Sequence, residues 1–311
     1  MDVLFSAFFL IIGLAMLCFG GNWLVNGGVT IAKKLRVSNL VIGMTVVAYG
    51  TSTPELAASI AAASEHGGIV VGNIVGSNIA NIGMVIGIAS IMIPLVVSKT
   101  TLRREIPLML GVSILLILLS LDGVLSHYDG AILLSSLVGF AIFTYKDAKK
   151  NREKETDNTK DSISSVYLKA SGLILLGVSL LGVGAYLTVD NAVVLAKELG
   201  LSEKLIGLTV IAIGTSLPEL VTSIIAIRKG HMEIGVGNII GSNIYNILMI
   251  MGVGASLGSI LISSDVFIDY AIMMVFSASL LIALKKGYIS RMVGIILSSA
   301  YALYLLVSFL I

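Results

Sequence analysis

Charges are so sparse along this chain that the gaps between them mark out its elements. Residues 3–32 carry none, 37–64 carry only Glu55, and 66–98 again carry none. Each stretch exceeds the roughly 20 apolar residues that an α-helix needs to cross a bilayer. Two shorter gaps, 106–121 and 130–145, predict a fourth and a fifth span. A polar stretch from 146 to 161 follows, and its charge density and lack of periodicity predict a solvated connection. The series then recurs: 170–195, 205–227 with only Glu219 inside, 234–264, 270–284 and 292–311. This pattern predicts an all-α integral membrane protein of ten transmembrane helices. Residues 1–145 would form the first five-helix repeat, 146–165 a short cytoplasmic linker and 166–311 the second repeat.

Basic residues orient these spans. With the N-terminus outside, 18 of the 20 lysines and arginines fall on the cytoplasmic side, and only Lys197 and Lys204 fall outside. The positive-inside rule therefore predicts a multi-pass protein of the cell membrane with both termini extracellular or periplasmic. The first span does not read as a cleavable signal peptide: it is too long, it follows Asp2 instead of a basic region, and its basic residues come after the apolar run. Composition agrees, with 57% hydrophobic and 12% charged residues and a mean hydropathy of +1.02. Soluble domains carry about a quarter charged residues, so a large water-soluble core is excluded. A net charge of +2, scattered, gives no nucleic-acid surface. The single cysteine, Cys18, can form no intrachain disulfide, and its apolar surroundings predict a packing role. Asp190 falls near the external end of the sixth span, where a solvated vestibule position is expected.

The chain also says one unusual thing twice. GMTVVAYGTSTPEL from Gly43 and GLTVIAIGTSLPEL from Gly207 agree at ten of fourteen positions, and VGNIVGSNIANIG from Val71 is answered by VGNIIGSNIYNIL from Val236. The offset of 164 or 165 residues makes the repeat unit half the protein. Five spans per half is an odd number, so the second copy enters the membrane in the opposite direction. Inverted repeats are then related by a pseudo-two-fold axis in the membrane plane, and their motifs meet at mid-depth. Each copy places a glutamate, Glu55 or Glu219, inside an apolar span, where an ionisable group marks a functional site. Pro54 and Pro218 stand at matching places beside them, which predicts a helix break at residues 50–53 and a restart near Pro54. Such a break would free the backbone carbonyls of Ala48 and Ala212. Gly72 and Gly76, and Gly237 and Gly241, have the small-xxx-small spacing of closely packed helices.

These groups are all hard oxygen donors, a set that suits Ca²⁺ or Na⁺ over softer metals. The three histidines, His66, His127 and His231, fall in predicted loops, so zinc or copper is not expected. Two carboxylates neutralise one divalent cation, and monovalent ions can share the same oxygens when it leaves. The paired G-T-S-x-P-E and G-S-N-x-x-N motifs resemble the two alpha repeats of the calcium/cation antiporter superfamily, most closely its sodium/calcium exchanger branch of prokaryotic type. The resemblance covers essentially the whole chain. It implies alternating access, Na⁺ influx driving Ca²⁺ extrusion, and a first and sixth span that slide as a pair across the bundle holding the ions. Position by position it implies Glu55 and Glu219 as shared carboxylates. The remaining implied ligands are Thr51 and Thr215, Ser52 and Ser216, Ser77 and Ser242, Asn81 and Asn246, and the Ala48 and Ala212 carbonyls. No cofactor is expected beyond the transported Ca²⁺ and Na⁺. The short central segment lacks the long regulatory domain of animal members. A site built within one chain predicts a monomer in the lipid bilayer.

Two other classes compete with this reading. A proton-coupled calcium antiporter would use the same carboxylates, but that branch usually has an acidic residue after G-N-A, where this chain has G-S-N. An intramembrane enzyme would need a catalytic group such as a Ser/Lys pair, and no lysine or histidine lies in a span interior. Potassium-dependent exchangers resemble the pattern with Asp at the position of Asn246, so no K⁺ requirement is expected here. The charge count makes one prediction directly. Cysteines introduced at Asn151 and Ser126 should be labelled from opposite faces of intact cells, Asn151 from the cytoplasm, and same-side labelling would rule out the ten-span topology.

Overall fold

A computed structural model describes residues 3–63, 67–150, 163–199 and 212–310, and within them the apolar stretches fold as helices. Helix α1 is Val3–Leu35. Helix α2 covers 39–63, running from Asn39–Ile42 through a π-helical turn, Gly43–Val47, into Ala48–Ala63. Helix α3 covers 67–92 with a π-helical turn at Asn81–Ile86, and α4 covers 101–119. Helices α5, His127–Lys150, and α6, Ile163–Glu198, flank the polar centre of the chain. Helix α7 is Ala212–Thr215 followed by Leu217–Arg228. Helix α8 covers 232–257 with a π-helical turn at Asn246–Met251, α9 covers 266–286, and α10 is Arg291–Leu310. Most of the polar connection (151–162), the start of the seventh apolar stretch, Lys204 and His66 lie outside the described residues.

Six helices, α1, α3, α5, α6, α8 and α10, are long and apolar enough to cross a membrane, and the apolar part of α9 is shorter. Helices α3 and α8 are buried along nearly their whole apolar length, whereas α1, α5, α6 and α10 turn most of their side chains outward. The outward side chains are large and apolar, among them Leu4, Phe8, Phe19, Leu175 and Leu303. Such a coat is a liability in water and the natural surface in hydrocarbon, where the helix has already satisfied its own backbone polar groups. Cys18 belongs to this coat. It is exposed on α1, so the expected packing role is wrong, because its face of α1 meets no other described helix.

Several contacts between the two halves of the chain are reciprocal. Four two-residue strands, which the apolar pattern did not predict, pair antiparallel between the halves: β1, Leu95–Val96, with β4, Tyr288–Ile289, and β2, Val124–Leu125, with β3, Ile260–Leu261. Leu95 stands opposite Ile289 and Leu125 opposite Ile260, one pair being the image of the other. Helices α1 and α6 touch in the same reciprocal way. A Cβ added at Gly20 would lie 2.8 Å from the Gly177 carbonyl oxygen, and one at Gly177 would lie 2.8 Å from that of Gly20. With no side chain between them, the two backbones pack directly.

Helix α2 does not break at residues 50–53 as its sequence predicts, because Pro54 sits inside an uninterrupted helix. The only bond a proline must forfeit is the one to the carbonyl four residues back, and tertiary packing holds the helix across that loss. The irregularity lies about two to three turns before Pro54, in the π-helical turn that begins at Gly43, where the α8 backbone presses close: a Cβ at Gly43 would meet the Ile234 carbonyl oxygen at 2.6 Å. Gly237 and Gly241 show the expected close packing, against the Leu40 carbonyl and Ala48, whereas a Cβ at Gly72 or Gly76 meets nothing within 4 Å among the described residues. Gly43→Ala is therefore expected to lower the thermal unfolding midpoint in detergent, an overpacking penalty of about 1–3 kcal/mol. Gly111→Ala, at a position with open space, should leave the midpoint unchanged or raise it.

Candidate functional site

The two motif pairs meet where α2, α3, α7 and α8 converge. In α7 the motif does interrupt the helix. Ser216, at φ −90° and ψ 5°, donates its N–H to the Ile213 carbonyl, one residue short of the α-helical register, and the helix resumes with Pro218 in its first turn. In α2 the Ala48 carbonyl stays within a continuous helix and accepts the Thr51 hydroxyl at 3.2 Å, so it is not freed in the predicted way.

Glu55 and Glu219 are both buried, 3% and 0% exposed, and their carboxyl groups face each other. Around Glu219 Oε1, the Ser52 hydroxyl from α2 donates at 3.2 Å and the Ser242 hydroxyl from α8 at 3.4 Å. Thr51 lies 3.4 Å from Ser242 and donates to Asn238 Oδ1 at 3.1 Å, and Asn238 donates in turn to Ser223 at 2.9 Å. This chain of bonds ties α2, α8 and α7 together beside the carboxylates. A cavity of about 470 Å³ reaches Glu55, lined also by Pro54, Gly214, Thr215 and the α6 residues Gly182, Tyr186 and Asp190. Asp190 is exposed at this cavity, in keeping with the vestibule position read from the sequence.

A second layer of the site joins α3 to α8. The Asn81 amide donates to Asn243 Oδ1 at 3.0 Å and the Asn246 amide to Asn78 Oδ1 at 3.1 Å. Each inner asparagine donates to the backbone carbonyl of the other, Asn78 to Asn243 at 3.2 Å and Asn243 to Asn78 at 3.3 Å. What these bonds leave over is oxygen. Both Glu55 oxygens, Glu219 Oε2, the Ser77 and Ser216 hydroxyls and the side-chain oxygens of Asn81 and Asn246 are buried with no hydrogen-bond partner among the described residues. A single buried unsatisfied polar group costs about 1–3 kcal/mol. Every one of these oxygens can accept, the two hydroxyls donating as well, so a cation is a partner that all of them could share. Calcium and sodium fit that donor set, and nothing in it suits a softer metal.

The structure thus brings Glu219, Thr51, Ser52 and Ser242 into one bonded group, and leaves Glu55, Ser77, Asn81, Ser216 and Asn246 with buried oxygens that have no partner among the described residues. Thr215 lines the cavity beside Glu55. Sequence reasoning passed over Asn78, Asn243, Asn238 and Ser223. The signal was present for the three asparagines, since V-G-N and G-S-N recur in both copies, but their partners lie in other helices.

A model of the family described as Sodium/calcium exchanger protein matches the chain twice, over residues 5–146 and 169–310. An inner membrane protein of Escherichia coli strain K12, YrbG, is 38% identical over 314 residues, covering 97% of this chain and 96% of its own. The sodium/calcium exchanger MaX1 of Methanosarcina acetivorans is 33% identical over 343 residues, covering 97% of this chain and 98% of its own. Among solved structures, the sodium-calcium exchanger NCX_Mj soaked with Na⁺ and Sr²⁺ superposes with a TM-score of 0.85 at 33% identity, covering 97% of this chain and 98% of its own.

Proposed function

The chain belongs to the sodium/calcium exchanger family, a family of transporters and not of enzymes, and from that premise we propose that it exchanges Na⁺ for Ca²⁺ across the membrane by alternating access to one mid-membrane site. The observation that carries this reading is the surplus of buried acceptor oxygens around two facing carboxylates. One Ca²⁺ balances both carboxylates, and its coordination sphere of roughly six to eight oxygens is irregular enough to be met by carboxylates, hydroxyls and amides together. Na⁺ ions entering the same oxygens exclude Ca²⁺, and mutual exclusion at shared ligands couples the two fluxes. The ligands in this reading are Glu55, Glu219, Thr51, Thr215, Ser52, Ser216, Ser77, Ser242, Asn81, Asn246 and the carbonyls of Ala48 and Ala212.

The ten helices in this reading all cross the membrane as two inverted five-helix repeats, with both termini extracellular or periplasmic and the protein a monomer in lipid. The reciprocal strand register, the reciprocal glycine contacts of α1 with α6 and the two equally offset family matches support the inverted halves. Alternating access then follows from differential contacts. The Thr51–Asn238–Ser223 bonds join α2, α8 and α7 beside the carboxylates, and the cavity past Asp190 reaches Glu55, which supports an access path that one state opens and the other closes. Helices α1 and α6, whose backbones pack through glycine, form a smooth pair able to slide as one body across the four motif helices.

The defining test is Ca²⁺ uptake into proteoliposomes driven by a Na⁺ gradient, with a proton gradient as control. Uptake that follows Na⁺ supports the reading, and uptake that follows protons instead transfers it to a proton-coupled antiporter. Glu55→Gln and Glu219→Gln each remove a full charge while nearly preserving shape, and each should reduce exchange to background. Near-normal flux in Glu55→Gln would show that the cation is held elsewhere. A further prediction concerns Asn246. With neutral amides at both positions 81 and 246, the deep fixed charge is about −2, which one Ca²⁺ balances without a co-transported cation, so exchange should persist when choline replaces K⁺ on both sides. Asn246→Asp adds a charge and should make transport sensitive to pH or K⁺. Uptake that vanishes without K⁺ and returns with it would overturn the potassium-independent reading.

A further inference from the structure

Among the oxygen donors of this site, only the asparagine amides can present their wrong end. A half-turn about the last side-chain torsion exchanges a carbonyl oxygen for an NH₂ of nearly the same shape, and NH₂ repels a cation where oxygen binds it. The fold resolves this ambiguity by an anchor that cannot be reversed. The Asn78 backbone carbonyl only accepts, so Asn243 must turn its amide nitrogen toward it, at 3.3 Å. Asn243 Oδ1 then faces Asn81, which must answer with its own nitrogen, at 3.0 Å, and the Asn81 oxygen is left pointing away, buried and unpartnered. The other half repeats the sequence of constraints: the Asn243 carbonyl fixes Asn78 at 3.2 Å, Asn78 Oδ1 receives the Asn246 nitrogen at 3.1 Å, and the Asn246 oxygen is unpartnered. Even the secondary contacts match, since the Asn78 nitrogen also lies 3.7 Å from Met273 Sδ and that of Asn243 lies 3.7 Å from Met109 Sδ.

We infer that Asn78 and Asn243 are positioning residues that hold the amides of Asn246 and Asn81, respectively, with their oxygens toward the transported cation, an assignment that rests on the ion site proposed above. The wiring is crossed: each cation-facing asparagine is aimed by the inner asparagine of the opposite half. Outer partners of this kind fix ligand orientation without touching the ion, and their loss typically weakens metal binding by about 10- to 100-fold.

The test uses the full chain in proteoliposomes. Asn243→Ala frees Asn81 to turn, so the KM for Ca²⁺ should rise about tenfold or more, with the maximal rate within about twofold because the charge of the site is unchanged. In an Asn81→Asp background the same alanine should change KM by less than about twofold, since a carboxylate offers oxygen from either end. Relief must follow the crossed wiring: Asn81→Asp relieves Asn243→Ala, and Asn246→Asp relieves Asn78→Ala. Equal penalties in both backgrounds, or relief by the wrong partner, overturn the inference. Should Asn243→Ala fail to reach the membrane folded, the Asn78 and Asn246 pair tests the same claim. Failure of both alanine variants to fold in either background assigns these residues a structural role only and also overturns it. Absence of Na⁺-driven Ca²⁺ uptake by the unaltered protein would instead sink the transport reading, which the mutant comparison cannot do.

Discussion

Glu55 and Glu219 are buried against each other inside a bundle that surrounds them with further oxygen acceptors. Two like charges in a low-dielectric interior are unfavourable by themselves, and hydroxyl donors from Ser52 and Ser242 offset only part of that at Glu219. The rest of the architecture can be understood as what such a pair requires. Helices α3 and α8, the most buried of the six long apolar helices, carry motif residues of the site, while the outer helices turn apolar side chains outward and a cavity reaches Glu55. A carboxylate pair held in this condition is stabilised by positive charge beside it, the property on which the proposed exchange draws.

Reciprocity between the halves is carried by backbone as much as by side chains. The strand pairs, the glycine contacts of α1 with α6 and the asparagine bonds of α3 with α8 all survive exchange of the halves. The departures from that symmetry are concentrated around the carboxylates. Ser223 is bonded to Asn238, yet its counterpart Ser59 is buried without a partner among the described residues. Helix α7 breaks at Ser216, yet α2 continues through the matching position. One sequence element written twice has taken two conformations, which is what a two-state transporter needs if each half can adopt the shape of the other. The shared asparagine layer sits between these differing regions and is itself symmetric, so it provides a fixed reference against which the other elements differ.

Much of this was legible along the chain because hydrocarbon is an exacting solvent. A charge in a span is expensive, so the spacing of charges located the helices to within a few residues, and the two glutamates left inside them marked the site. Doubling of the motif located its partner half. Chemistry was legible for the same reason, since the motif contains only oxygen donors and no histidine or cysteine. Local sequence misjudged what depends on neighbours. Pro54 reads as a break, but α2 runs through it without interruption and is irregular about two to three turns earlier, where Gly43 meets the α8 backbone. Cys18 reads as core, but the face of α1 that carries it is turned outward.

The sequence by itself determined the helices, the duplication and the identity of the charged and polar groups at depth, because each depends on the cost of placing a given residue in an apolar medium. Tertiary structure alone decided which way those groups point. Asn81 and Asn246 are aimed by partners 162 and 168 residues away, and the anchors that remove the ambiguity are backbone carbonyls, whose positions no residue type encodes. A pattern along the chain can say that an amide is present at the site. Only the packing of α3 on α8 can say that its nitrogen is bonded and its oxygen left unpartnered, because orientation is set by the geometry of hydrogen-bond partners and those are assembled only when the halves meet.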